Sequence, residues 1–64
     1  MGDFTPLLKK LLKSHNCHFV RQGKGDHEIW FSPISEKHFV VDGKIKSRHT
    51  ANAALQQAGL SKQF

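Results

Sequence analysis

Between Cys17 and Val41 the chain is cut twice by turn signals into three short runs, each rich in strand formers. The first cut is Gly23-Lys24-Gly25-Asp26, where two glycines supply positive φ and the aspartate can bond its own backbone. The second is Pro33-Ile34-Ser35-Glu36. Runs this short, joined by links this short, pair with their neighbours as an antiparallel meander. The predicted strands are Cys17 to Gln22, His27 to Ser32 and Lys37 to Val41, with Asp42-Gly43 closing the third.

A helical pattern flanks the meander on each side. Over Asp3 to Ser14, Thr5 is placed to cap, Pro6 falls at the first helical position, and Leu7, Leu8, Leu11 and Leu12 recur as one apolar stripe. Over Ser47 to Ala58, Ser47 is the expected cap, and Ala51, Ala54, Leu55 and Ala58 form a small-residue stripe suited to close packing. Gly59 is placed to end that helix left-handed, with Leu60 folding back. Residues Ser61 to Phe64 follow as a short tail. The order is α-β-β-β-α, an α+β domain over residues 1–64 with two helices on one face of a three-stranded antiparallel sheet.

Alternation assigns the faces. If the turn pairs Gln22 with His27, Val20, His27, Ile29 and Phe31 share one face, and Phe19, Arg21, Trp30 and Phe39 share the other. Both sets are apolar, so the pattern leaves open which one packs on the helices, and a one-residue slip exchanges them. The uncovered face keeps aromatic side chains in water, a mark of a partner site.

A chain of 64 residues buries only about 60% of the surface that its unfolded form exposes, so a stabilising partner makes sense. Ten Lys+Arg against five Asp+Glu give a net charge of +5, which favours nucleic acid or another polyanion over a solvated basic surface with no partner. Cys17 is the single cysteine, which excludes an intramolecular disulfide and fits a reducing compartment. No apolar run approaches the roughly 20 residues of a membrane span. A cytoplasmic protein without a membrane partner is expected.

His27 is the sharpest chemical candidate. It directly follows the glycine turn, which allows a substrate backbone to come close. Imidazole is the side chain whose unperturbed pKa lies nearest neutrality, as general acid–base work requires. Arg21 and Lys24 bring positive charge to the same turn and are candidates for holding phosphate. The strongest basic cluster is Lys44, Lys46 and Arg48, beside His49 at the start of the second helix, where a helix N-terminus also suits phosphate. His38 on the third strand is a possible second acid–base group. His15, Cys17 and His18 straddle a helix-to-strand junction without a second ligand pair at zinc spacing, so neither metal nor cofactor is expected.

The run RQGKGDHEIW resembles the hallmark of HicA toxins: an Arg, a Gly-x-His turn and an aromatic three residues past the histidine. Arg21, Gly25, His27 and Trp30 fall on those positions. The C-terminal ANAALQQAGL resembles the closing helix of the family, and the likeness runs roughly from Leu7 to Leu60. It implies a fold like that of double-stranded-RNA-binding domains and a single HicA-like toxin domain. It further implies a metal-independent endoribonuclease that cleaves mRNA with His27 as essential residue, inhibited by a HicB-type antitoxin. DNA by itself would not be a substrate. Two departures from the family pattern stand out. Asp26 replaces the usual small residue before the histidine, and VVDGKIKSRH replaces a Pro-x-His segment. Two rival expectations are a non-catalytic small RNA-binding module and an adaptor that engages a protein through the aromatic face.

Overall fold

The computed structural model describes residues 3–64; Met1 and Gly2, at the start of the expected domain, lie outside the described residues. The elements are α1 (Thr5–Ser14), β1 (His18–Gln22), β2 (Glu28–Ser32), β3 (Lys37–Val41) and α2 (Arg48–Gln57). The strands form one antiparallel sheet in the order β1-β2-β3. The fold is α+β with the predicted α-β-β-β-α order.

The start of α1 differs from expectation. Asp3 Oδ1 accepts the Thr5 N–H at 3.0 Å, so the upstream carboxylate satisfies an orphan amide. Thr5, predicted as the cap, lies inside the helix with its Oγ1 accepting the Ile45 N–H at 2.8 Å. The leucine stripe is also narrower than predicted. Leu8 and Leu12 are fully buried, whereas Leu7 is 51% exposed. At about 100° per residue, Leu7 falls roughly 100° from Leu8 and off the buried arc. Asn16 closes the helix left-handed at φ 68°, with the Cys17 N–H donating to the Leu12 carbonyl at 3.0 Å.

At the other helix the local signals hold. Ser47 caps α2 by accepting the His49 N–H at 3.1 Å. Gly59 takes φ 82°, and the Leu60 N–H returns to the Leu55 carbonyl at 2.8 Å. Ala51, Ala54, Leu55 and Ala58 are all buried.

The face carrying Trp30, Ser32, Phe39 and Val41 packs beneath both helices, in one core with Leu8, Leu12, Ile45 and Leu55. Lys9 on α1 pairs with Glu28 on β2 at 3.1 Å, and the Trp30 indole N–H donates to the other Glu28 oxygen at 2.9 Å. A bulge corrects the predicted face of Arg21. Phe19 pairs with Trp30, yet Arg21 pairs with Ile29, leaving Val20 as the extra residue. Arg21 therefore lies on the helix-free face with Ile29, not with Trp30. All of β1 is exposed, because the buried strand residues belong to β2 and β3.

Candidate active site

The connection from β1 to β2 is braced from within. The Gly23 N–H donates to the His27 carbonyl at 2.7 Å, and the His27 N–H donates to the Lys24 carbonyl at 3.1 Å. Gln22 Nε2 donates to the carbonyls of Gly25 at 3.2 Å and His27 at 2.9 Å. Gly25 sits at φ 64° with nothing near its absent side chain, so glycine is favoured there by conformation alone. Gln22 pairs with Glu28 rather than with His27 as the turn signal suggested. His27 is thereby held just ahead of β2, its side chain half-exposed.

The neighbouring hairpin supplies the groups that face it. Glu28 pairs with Val41, and one further step of that register sets His27 opposite Asp42. His27 Nε2 lies 3.6 Å from Asp42 Oδ1 and 3.9 Å from Asp26 Oδ1. A carboxylate at this range attracts the ring most when it is protonated. Gly43 makes the approach possible: a Cβ there would lie 2.5 Å from Asp26 Oδ2. Because it has no side chain, the two turns can close on each other.

Of the basic residues singled out in the sequence, Lys24 is exposed in the His27 turn. Arg21 projects from the helix-free face, with Nη1 at 3.4 Å from the Gln22 carbonyl. Lys44 and Lys46 flank Ile45, which is 1% exposed. Ile45 accepts the Phe4 N–H at 2.7 Å and donates to Thr5 Oγ1 at 2.8 Å, so its neighbours point outward from a pinned segment. The Asp3 carboxyl is held below its ordinary range, chiefly by the Thr5 N–H, with Lys44 and Lys46 adding to the effect. Arg48 opens α2 and is exposed. One surface segment thus leads from Asp42, beside His27, through Lys44 and Lys46 to Arg48.

His38 does not join this site. It pairs with Phe31, four positions along β2 from His27, a separation of roughly 13 Å at about 3.3 Å per residue. A role as second acid–base group beside His27 is therefore ruled out by register. Cys17 is buried, while His18 stands against Phe31 at 5.7 Å between ring centroids. The sequence reading missed Asp42, Gly43 and the Gln22 brace. The signal was the Asp-Gly pair directly after β3, which aligns with His27 once β2 and β3 are in register.

A family model described as HicA toxin of bacterial toxin-antitoxin matches residues 8–60. The chain belongs to the HicA toxin family. No curated protein and no solved structure matches it significantly. The HicA match runs from the second turn of α1 to the residue that closes α2, so it takes in His27, Asp42 and the whole basic segment. As a HicA toxin the chain is one half of a toxin–antitoxin pair, and an antitoxin is its implied partner. No helix among the described residues is long and apolar enough to cross a membrane.

Proposed function

We propose that this HicA chain, a single toxin domain over residues 1–64, is an endoribonuclease that cleaves mRNA without metal, with His27 as general base. The supporting observation is the half-exposed imidazole held 3.6 Å from a carboxylate at the sheet end, in a toxin of net charge +5. His27 takes the proton of a ribose 2′-hydroxyl as that oxygen attacks the adjacent phosphorus. The bond to the 5′-oxygen breaks, and water supplies the proton that oxygen needs. The products are a 2′,3′-cyclic phosphate and a 5′-hydroxyl.

Asp42 is the positioning residue in this scheme: it orients the ring and attracts the imidazolium that forms. Lys24 and Arg21 handle the phosphate, and Lys44, Lys46 and Arg48 grip the flanking backbone. The antitoxin is of the HicB type and covers His27. Cytoplasmic mRNA is the substrate. DNA, without the 2′-hydroxyl, is not cut.

Purified wild type and His27→Ala, incubated with one long mRNA in EDTA, test the reading. Cleavage by wild type alone, with cyclic phosphate ends and equal folding by circular dichroism, is the expected result. Binding without cleavage by both proteins would replace the nuclease with a non-catalytic RNA-binding module. Equal cleavage by both would remove His27 from the chemistry, and cleavage of DNA at a similar rate would rule out attack by the 2′-hydroxyl.

A further inference from the structure

Beyond Arg21, which already serves the site above, the helix-free face of the sheet has no assigned role, although it leads directly to His27. His18, Phe31 and His38 form a row across all three strands, with ring centroids 5.7 and 5.0 Å apart. The next row is Arg21, Ile29 and Val40, which border a groove of about 360 Å³. The last is His27 with Asp42, 3.6 Å apart. Successive rows are two residues apart on β2, roughly 6.6 Å at about 3.3 Å per residue.

Apolar surface borders each row. Val40 is 44% and Val20 42% exposed, and apolar surface left open on a soluble fold marks a partner site. Charge says which partner. The first two rows carry a guanidinium and two imidazoles, with no carboxylate before Asp42. Glu28 on the same strand is turned to the opposite face and paired with Lys9 at 3.1 Å. A ligand that is negative along its length and bears flat apolar rings matches such a surface. Single-stranded nucleic acid has both properties: any base can stack on an aromatic ring, and arginine can hold the phosphates between. In a duplex the base faces are already stacked on one another, so the rings of the face have nothing to receive.

The geometry points to the helix-free face as a track for single-stranded RNA. One base packs on Phe31 between His18 and His38, the next enters the Ile29–Val40 groove beside Arg21, and the backbone arrives at His27. This inference rests on the ribonuclease reading for the identity of the strand as RNA, and it adds that the strand is unpaired.

The test is fluorescence anisotropy with a labelled 2′-O-methyl oligonucleotide, which lacks the attacking hydroxyl and survives the assay. Wild type binds the strand roughly tenfold or more tightly than the same strand annealed to its complement. Phe31→Ala weakens binding about fivefold or more, the loss expected for one stacked base, while Phe31→Tyr keeps wild-type affinity. Val40→Glu, at an exposed position where folding is undisturbed, also weakens it. Equal affinity for strand and duplex would overturn the track. So would wild-type affinity in both Phe31→Ala and Val40→Glu. If those two variants bind RNA normally but no longer co-purify with the antitoxin, the face is a protein interface and the track is refuted. The two readings fail separately. Tight binding through Phe31 by a wild type that never cuts mRNA removes the nuclease and keeps the track. Normal cleavage by variants with unchanged binding removes the track and keeps the nuclease.

Discussion

Replacing Ser32 by alanine should cost this protein a large share of its stability. The Ser32 hydroxyl is completely buried and donates to the Ala58 carbonyl at 2.6 Å. It also accepts the N–H groups of Ile34 at 3.1 Å and Ser35 at 3.3 Å. The end of β2, the following turn and the end of α2 thus meet at one oxygen. Ala58 is itself fully buried, so its carbonyl is left without a partner in Ser32→Ala, at about 1–3 kcal/mol. The two turn amides lie nearer solvent and add about 0.5 kcal/mol each. The sum, roughly 2–4 kcal/mol, compares with a total of about 3–10 kcal/mol for a chain of this length. It corresponds to a fall in Tm of roughly 10–30 °C. Urea unfolding followed by the fluorescence of buried Trp30 and by circular dichroism measures it as a shift in midpoint at constant slope. Ser14→Ala is the comparison, since that exposed hydroxyl donates to the Leu11 carbonyl at 2.7 Å and its loss should cost under about 0.5 kcal/mol. Equal midpoints for the two variants would refute the claim that burial of the Ala58 carbonyl sets the cost. Ser32 lies at the opposite end of β2 from His27, so the folded fraction of Ser32→Ala should cleave RNA normally.

Asp42→Asn should lower the cleavage rate at saturating RNA. Two unit charges 3.6 Å apart attract by about 1.2 kcal/mol in water, or roughly sevenfold in rate, and this half-exposed pair is close to that limit. A rate within twofold of wild type would exclude Asp42 as a positioning residue. Glu28 is held below its ordinary value of 4.5 by the Trp30 indole N–H first, then by Lys9, against the opposing effect of burial. A carboxyl depressed on folding contributes stability that is complete above about pH 4.5 and is lost as pH falls through the lower folded value. Glu28→Gln should therefore flatten the acid limb of a stability–pH curve; an unchanged limb would assign that limb to other carboxyls. Asn52→Ala removes the side chain that donates to the Phe64 carbonyl at 3.1 Å and accepts the Gln63 and Phe64 N–H groups at 3.2 and 3.1 Å. The tail should then lose its edge contact with Phe4, now 5.2 Å between ring centroids, and its last amides should exchange freely; retained protection would show that the aromatic contact alone holds it.

What could be read from the residues alone was whatever depends on near neighbours. Ser47 caps α2, Gly59 and Leu60 close it, and its alanine stripe is buried, because each signal lies within a few positions of its effect. Thr5 carried an equally good cap signal and failed, since its hydroxyl is taken by Ile45, far along the chain. The core face of the sheet was illegible because β2 is apolar on both sides, with Trp30 facing the helices and Ile29 and Phe31 turned away. Arg21 was misplaced by a single bulged residue, Val20, which no alternation pattern announces. His27 was visible as a candidate from its turn. Its neighbour Asp42 was not, because the contact depends on the register between two strands.

The double tether of Ile45 bears on the entropy of binding. Fixing the backbone of one residue costs about 1–2 kcal/mol, and a loop that orders only on contact meets that cost for every residue it settles. The segment bearing Lys44 and Lys46 has met it already at folding, through the Phe4 N–H and the Thr5 hydroxyl. Under the proposed function, only lysine rotamers are left to restrict when phosphate arrives. Thr5, facing the interior from α1, would in this sense be part of the grip on a polyanion that it never touches.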